Sequence, residues 1–172
     1  MKKIIPFLLA ILLTGTAFSQ STEQALSEKV KVTFPGKPNM QKLENGATVY
    51  TNAKDSTTSY MGMGIDLTQF GLTAETIATM GDGLWEQMKG PMLAQMPGAV
   101  VVKDEITNFK GKSALYLEID GAKSTAPLLK GKKIFGYAFF VDAMLHQVMY
   151  YSTAPAAKMD DAKPFFDSVT IK

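Results

Sequence analysis

The chain has no cysteine and, among its 18 basic residues, no arginine. It has a single histidine, His146, and a single tryptophan, Trp85. Each scarcity closes off chemistry. Without cysteine there is no disulfide framework, no thiolate nucleophile, no lipid-modified N-terminal Cys and no thiolate-ligated zinc. Without arginine the chain lacks the bidentate fork that suits phosphates, carboxylates and base edges, which argues against nucleic-acid binding. One histidine cannot supply the usual zinc ligand set. No serine sits in a G-x-S-x-G elbow or an S-x-x-K motif, so nucleophilic hydrolysis would have to rely on His146 alone as base. Neither a Walker-type phosphate loop nor a complete G-x-G-x-x-G follows a strand. A long apolar run is also missing after the first residues, so no later stretch is long enough to span a bilayer.

What is present begins with an export signal. Lys2 and Lys3 precede an apolar stretch from Ile4 to Leu13, and Ala17-Phe18-Ser19 places small residues where a signal peptidase reads. Cleavage is expected before Gln20, with an uncleaved N-terminal anchor as the alternative. The 172 residues less the first 19 leave 153, enough for one domain with a full core and no disulfides. Loss of Lys2 and Lys3 leaves 16 lysines against 16 acidic residues. A formally neutral mature protein gives no support to polyanion binding. Export without cysteine points to a bacterial protein that is periplasmic or secreted.

The expected organisation is a signal peptide over 1–19, a frayed arm or short helix over 20–28, and one α+β domain over 29–172. Lys29 to Phe34 alternates as a half-exposed strand. Met40–Leu43 and Ala47–Ala53 flank Glu44-Asn45-Gly46, a hairpin signal. Ser59–Leu67 alternates again, with Met61, Met63, Ile65 and Leu67 on one face and Gly62 and Gly64 on the other. From Thr73 to about Gln95 the apolar period becomes helical, with Thr73 as N-cap and a break expected near Gly90-Pro91. Ala99–Thr107 and Ser113–Asp120 form another hairpin across 108–112. A last helix, capped at Ser152 or Thr153, is expected to run to about Ser168 and to bury Ala162, Phe165 and Phe166.

The stretch Lys133–Ser152 is the longest apolar run after the N-terminus, interrupted at Asp142-Ala143. A two-residue turn there pairs Val141 with Met144, Phe139 with His146, Tyr137 with Val148 and Phe135 with Tyr150. Both faces of this hairpin are apolar. It is therefore expected at the centre of a mostly antiparallel sheet covered by helices on both faces.

Four features resemble the PsbP-like family of αβα sandwiches. They are Val32-Thr33-Phe34-Pro35-Gly36-Lys37-Pro38 at the end of an early strand, hairpins before a middle helix, the late strand pair containing Met144–Tyr151, and Phe165-Phe166-Asp167-Ser168-Val169 after a helix. Together they cover roughly 29–172. The resemblance implies an antiparallel sheet with helices on both sides. It implies an assembly, binding or accessory role and no reaction, and it carries over no ligand residue.

His146 lies on the more apolar hairpin face, where a core histidine satisfied by one hydrogen bond is the ordinary case. Asp66, Glu118, Asp120 and Asp142 offer oxygen ligands for calcium without EF-hand spacing; solvated strand carboxylates are the plainer reading. Met61-x-Met63 and the four-residue steps Met88, Met92 and Met96 offer soft thioethers suited to Cu(I), yet methionine also fills irregular cores. Gly62, Gly64, Gly136 and Ala138 either floor a groove for an apolar ligand, with Trp85 lining it, or admit a helix close to the sheet. No catalytic, cofactor-binding or metal-ligating residue is assigned, and no cofactor is expected. The reading is a secreted or periplasmic, non-enzymatic binding or accessory module for an envelope protein partner or a small apolar ligand. The alternatives are a small envelope hydrolase using His146 and a copper- or calcium-handling protein.

Overall fold

Alternating side chains and turn residues dictate a chain of antiparallel strands, and the structure, a computed structural model, shows them. It describes residues 20–94 and 96–172, so the expected leader over 1–19 lies outside the described residues. A small sheet joins β1 (Thr22–Ala25), β2 (Val30–Phe34) and β10 (Thr170–Ile171) in the order β1-β2-β10. A seven-stranded sheet contains β3 (Asn39–Lys42), β4 (Thr48–Ala53), β5 (Thr58–Asp66), β6 (Val100–Phe109), β7 (Lys112–Asp120), β8 (Lys133–Val141) and β9 (Met144–Ser152). Its order is β3-β4-β5-β9-β8-β7-β6, antiparallel throughout. Two meanders thus meet where β9 pairs with β5, and β9 is the central strand.

The central hairpin has the expected register: Val141 faces Met144, Phe139 faces His146, Tyr137 faces Val148 and Phe135 faces Tyr150. Its turn places Asp142 at a φ of 54°, a left-handed conformation that aspartate tolerates better than most residues. Period-two alternation then sends side chains into two cores. One gathers Phe135, Phe139, Val148 and Tyr150 with Val30, Val32 and Phe34 of β2. The other gathers Ile134, Ala138, Leu145, Met149 and Tyr151 with Leu115, Leu117 and Ile119 of β7.

Three helices complete an α+β arrangement: α1 (Ala74–Met80), α2 (Asp82–Ala94) and α3 (Met159–Asp167). Ala162, Phe165 and Phe166 of α3 enter the first core, while Ile77 of α1 and Leu84 and Trp85 of α2 enter the second. Thr73 caps α1 as expected, its hydroxyl accepting the Thr76 N–H at 3.2 Å. Trp85 stacks on Phe140 of β8 at 4.4 Å, which fixes α2 against the sheet. Ser168, just after α3, accepts the Thr33 N–H at 3.0 Å and ties the closing segment to β2.

Several expectations are corrected. Residues 20–28 are not a frayed arm or helix: Thr22–Ala25 is a strand paired residue for residue with Lys31–Phe34. The helical stretch does not break at Gly90. It breaks at Gly81, whose φ of 51° and ψ of −132° end α1, while α2 continues through Gly90 and Pro91. The last helix begins at Met159 and not after Ser152; the Asp161 carboxylate accepts the Lys158 N–H at 2.9 Å and sets its start. The loop expected over 108–112 is a two-residue turn, Lys110-Gly111, both at positive φ.

Candidate functional site

α2 lies over β6 and β7. The β4–β5–β9 part of the same sheet face is left to shorter segments, and a groove of about 450 Å³ opens there. Its floor is two cross-strand rungs. Val49, Met63 and Gln147 form one; Thr51, Met61 and Met149 form the other. Tyr151 extends the floor along β9. Met92, at the end of α2, and Met96 close one side, with Ala126, Leu128 and Leu129 from the β7–β8 connection. Gln41 and Leu43 close the other. No lining residue is charged. The rim is apolar too: Leu43 is 38% and Leu128 58% exposed. An uncharged hollow of this kind selects neutral apolar matter, and thioether side chains let it adapt to shape.

The floor carries one polar feature. The buried Tyr151 hydroxyl has two sulfur acceptors, Met149 Sδ at 3.4 Å and Met61 Sδ at 3.5 Å. Burial pushes the phenol pKa up, so it stays a donor at any ordinary pH. Lys132 Nζ stands 5.6 Å from the centre of its ring.

The sequence places Met61 and Met63 on one strand face, and the structure brings them together with Met92 and Met96. Met88 packs in the same core without lining the groove. Tyr151, Gln147, Leu43 and Leu128 carry no signal as site residues in the sequence. Only the shared period of Met149 and Tyr151 hints at one of them.

The glycine groove is not found. Gly62 and Gly64 pair with Val148 and His146 and so lie on the first face, whereas Gly136 pairs with Met149 and lies on the second. What approaches Gly62 and Gly64 is neither a helix nor open space but Leu26, in the β1–β2 turn. A Cβ at Gly64 would stand 2.6 Å from the Leu26 carbonyl oxygen, and one at Gly62 2.8 Å from Leu26 Cδ2. Gly136 makes room for Met149 Cγ. Trp85 lines a separate hollow of about 470 Å³ beside α1, whose walls include Lys112 and Asp142.

His146 is fully buried and stacks on Phe139 at 5.4 Å. Its Nε2 lies 3.0 Å from Ser27 Oγ, so a serine does stand within reach of the one histidine. The geometry nonetheless serves the fold. Ser27 Oγ also accepts the Val30 N–H at 3.2 Å, closing the β1–β2 turn. Nδ1 has no hydrogen bond of good geometry, so no carboxylate orients the ring as a base. Burial lowers the imidazole pKa to about 4; the Met144 backbone and the Asp142 charge act in the opposite sense. The hollow beside Ser27 is lined by Glu28, Lys29, Val141, Asp142 and Met144, without His146.

The four carboxylates named for calcium are spread over separate turns and faces. Asp66 accepts from Thr68, Asp120 from the Ala122 N–H, and Asp142 pairs with Lys29 at 2.7 Å. Among the described residues no group of three or more His, Asp or Glu side chains gathers to hold a metal ion.

Sheet order, helices and groove define an α+β protein built on a central antiparallel sheet, and its fold is PsbP-like. The chain is similar to the solution structure of cyanobacterial PsbP (CyanoP) from Synechocystis sp. PCC 6803. The two share 12% identity with a TM-score of 0.50, over 92% of this chain and 96% of that one. A Pseudomonas aeruginosa protein of unknown function aligns at 14% identity over 86% of this chain and 91% of its own, with a TM-score of 0.45. No family model and no curated protein matches the chain. At these identities the likeness shows the fold alone. Among the described residues no helix is long and apolar enough to cross a membrane.

Proposed function

We propose that this chain is an exported, non-enzymatic binding or accessory module that takes a neutral apolar ligand into its methionine-lined groove. Export, to the periplasm or beyond, rests on the signal-peptide pattern of residues 1–19. The layered reading of the fold, with helices over both sheet faces, is part of the same proposal. It is supported by the division of α3 and of α1–α2 between the two cores. One observation carries the binding function: an open groove of about 450 Å³ with no charged lining residue and exposed leucines at its rim. Buried apolar area supplies the affinity, at roughly 25 cal/mol per Å² of apolar surface removed from water. Gln41, Gln147 and Thr51 supply the few polar contacts that orient a ligand.

The test is a titration of the purified protein with Nile red, a neutral apolar fluorophore. Saturable binding is expected. Met63→Lys, which puts a charge in the groove, should weaken it at least tenfold. Val102→Lys, at an exposed position of the edge strand β6, should leave it unchanged. Absence of saturable binding, or equal loss in both variants, contradicts the proposal and leaves an envelope protein partner as the better reading.

A further inference from the structure

We infer that Met61, Met63 and Met149, on the groove floor, form a thioether site for a soft monovalent cation, Cu(I). The inference uses the groove of the proposed function but does not depend on an apolar ligand being its occupant.

Three observations converge. Met61 and Met149 are direct cross-strand partners on one face of β5 and β9, so their side chains leave the sheet side by side. Their sulfurs both lie close to one point, because the single Tyr151 hydroxyl stands 3.5 Å from one and 3.4 Å from the other. Met63 lies two residues along β5 on the same face and opens to the same groove, as do Met92 and Met96 on the facing wall. Thioethers are soft, neutral ligands, and two or three of them suit Cu(I). The surroundings discriminate as well. No carboxylate lines the groove to attract a hard divalent ion, and the Lys132 ammonium, 5.6 Å from the Tyr151 ring centre, repels a double charge more than a single one. Methionine has three rotatable side-chain bonds, so the sulfurs can close on an ion without moving the strands. Binding forms metal–sulfur bonds only; the copper arrives and stays reduced.

The experiment is an anaerobic competition in which Cu(I), held by bicinchoninate with ascorbate present, is titrated with the purified protein. One Cu(I) per chain should be withdrawn from the chelator. The Met61→Leu/Met149→Leu variant keeps the apolar volume and should lose affinity at least tenfold, while Met88→Leu, outside the groove, should not change it. Met63→Leu gives a second reading at a less buried position, with an expected loss of several-fold. A parallel titration with Ag(I), a redox-inert soft ion, should shift the Met61, Met63 and Met149 methyl resonances and spare Met40. Failure to withdraw Cu(I), or equal affinity in the double leucine variant and the parent, overturns the site. Nile red, titrated into the parent protein, separates the two proposals, since copper and probe binding are read independently there. Loss of copper affinity in the double leucine variant, with affinity kept in Met88→Leu, supports the metal site. Probe binding in a protein that withdraws no copper overturns the metal site alone.

Discussion

At the scale of single residues, the chain's only histidine is a structural titrating group. The unfolded chain protonates His146 near 6.5 and the folded ring only near 4, so between those values the unfolded state binds more protons. Its stabilising contribution is complete above about pH 6.5 and is lost as pH falls towards 4. From pH 7 to pH 4.5 the loss is roughly 2–3 kcal/mol. Urea unfolding at the two pH values should show a drop of that size in the parent and a flatter response in His146→Gln; equal slopes would remove His146 as the cause. Gly64 is the other residue that decides the region. Gly64→Ala drives a Cβ against the Leu26 carbonyl and is expected to cost roughly 1–3 kcal/mol. Gly62→Ala meets side chains, the flexible end of Leu26 and the edge of the Phe34 ring, and no backbone, so it should cost less, and thermal melts of the two variants rank them. The place of His146, opposite Phe139, was legible from hairpin register. Its partner was not, because Ser27 lies 119 residues away in sequence, in the β1–β2 turn of the other sheet.

At the scale of elements, two glycines of the helical stretch carry opposite expectations. Gly81 sits at a backbone conformation that a side chain resists, with open space around it, so the penalty for Gly81→Ala is one of backbone strain, roughly 1–3 kcal/mol. Gly90 is exposed within α2, and Gly90→Ala should stabilise by roughly 0.5–1 kcal/mol. Chemical denaturation should therefore shift in opposite directions; a loss at both positions contradicts the placement of the break. The strands were readable because alternation and turn chemistry agree, above all at Asp142-Ala143 and Asn45-Gly46. The helix break was not, since Gly81 and Gly90 look alike until the backbone angles distinguish them. The β1 strand was illegible for a different reason: its four residues are polar or small, and β2 pairs with them through backbone groups.

At the scale of the whole molecule, the groove follows from where the helices stop. The sheet presents a continuous apolar face, α2 covers the β6–β7 side, and the β4–β5–β9 side remains open as a methionine-lined groove. Sequence period places Met61, Met63 and Met149 on that face, but nothing local to them says that α2 lies elsewhere. The groove is thus a property of topology, and so is the error of seeking it along Gly62, Gly64 and Gly136, which the strand period divides between opposite faces. The most direct test uses protein carrying carbon-13 only in the methionine methyl groups, titrated with a neutral long-chain alcohol and followed by NMR. The account predicts saturable shifts of Met61, Met63, Met92, Met96 and Met149, with Met40 and Met159 unmoved. Shifts absent from the groove methionines, or spread evenly over all of them, would contradict it.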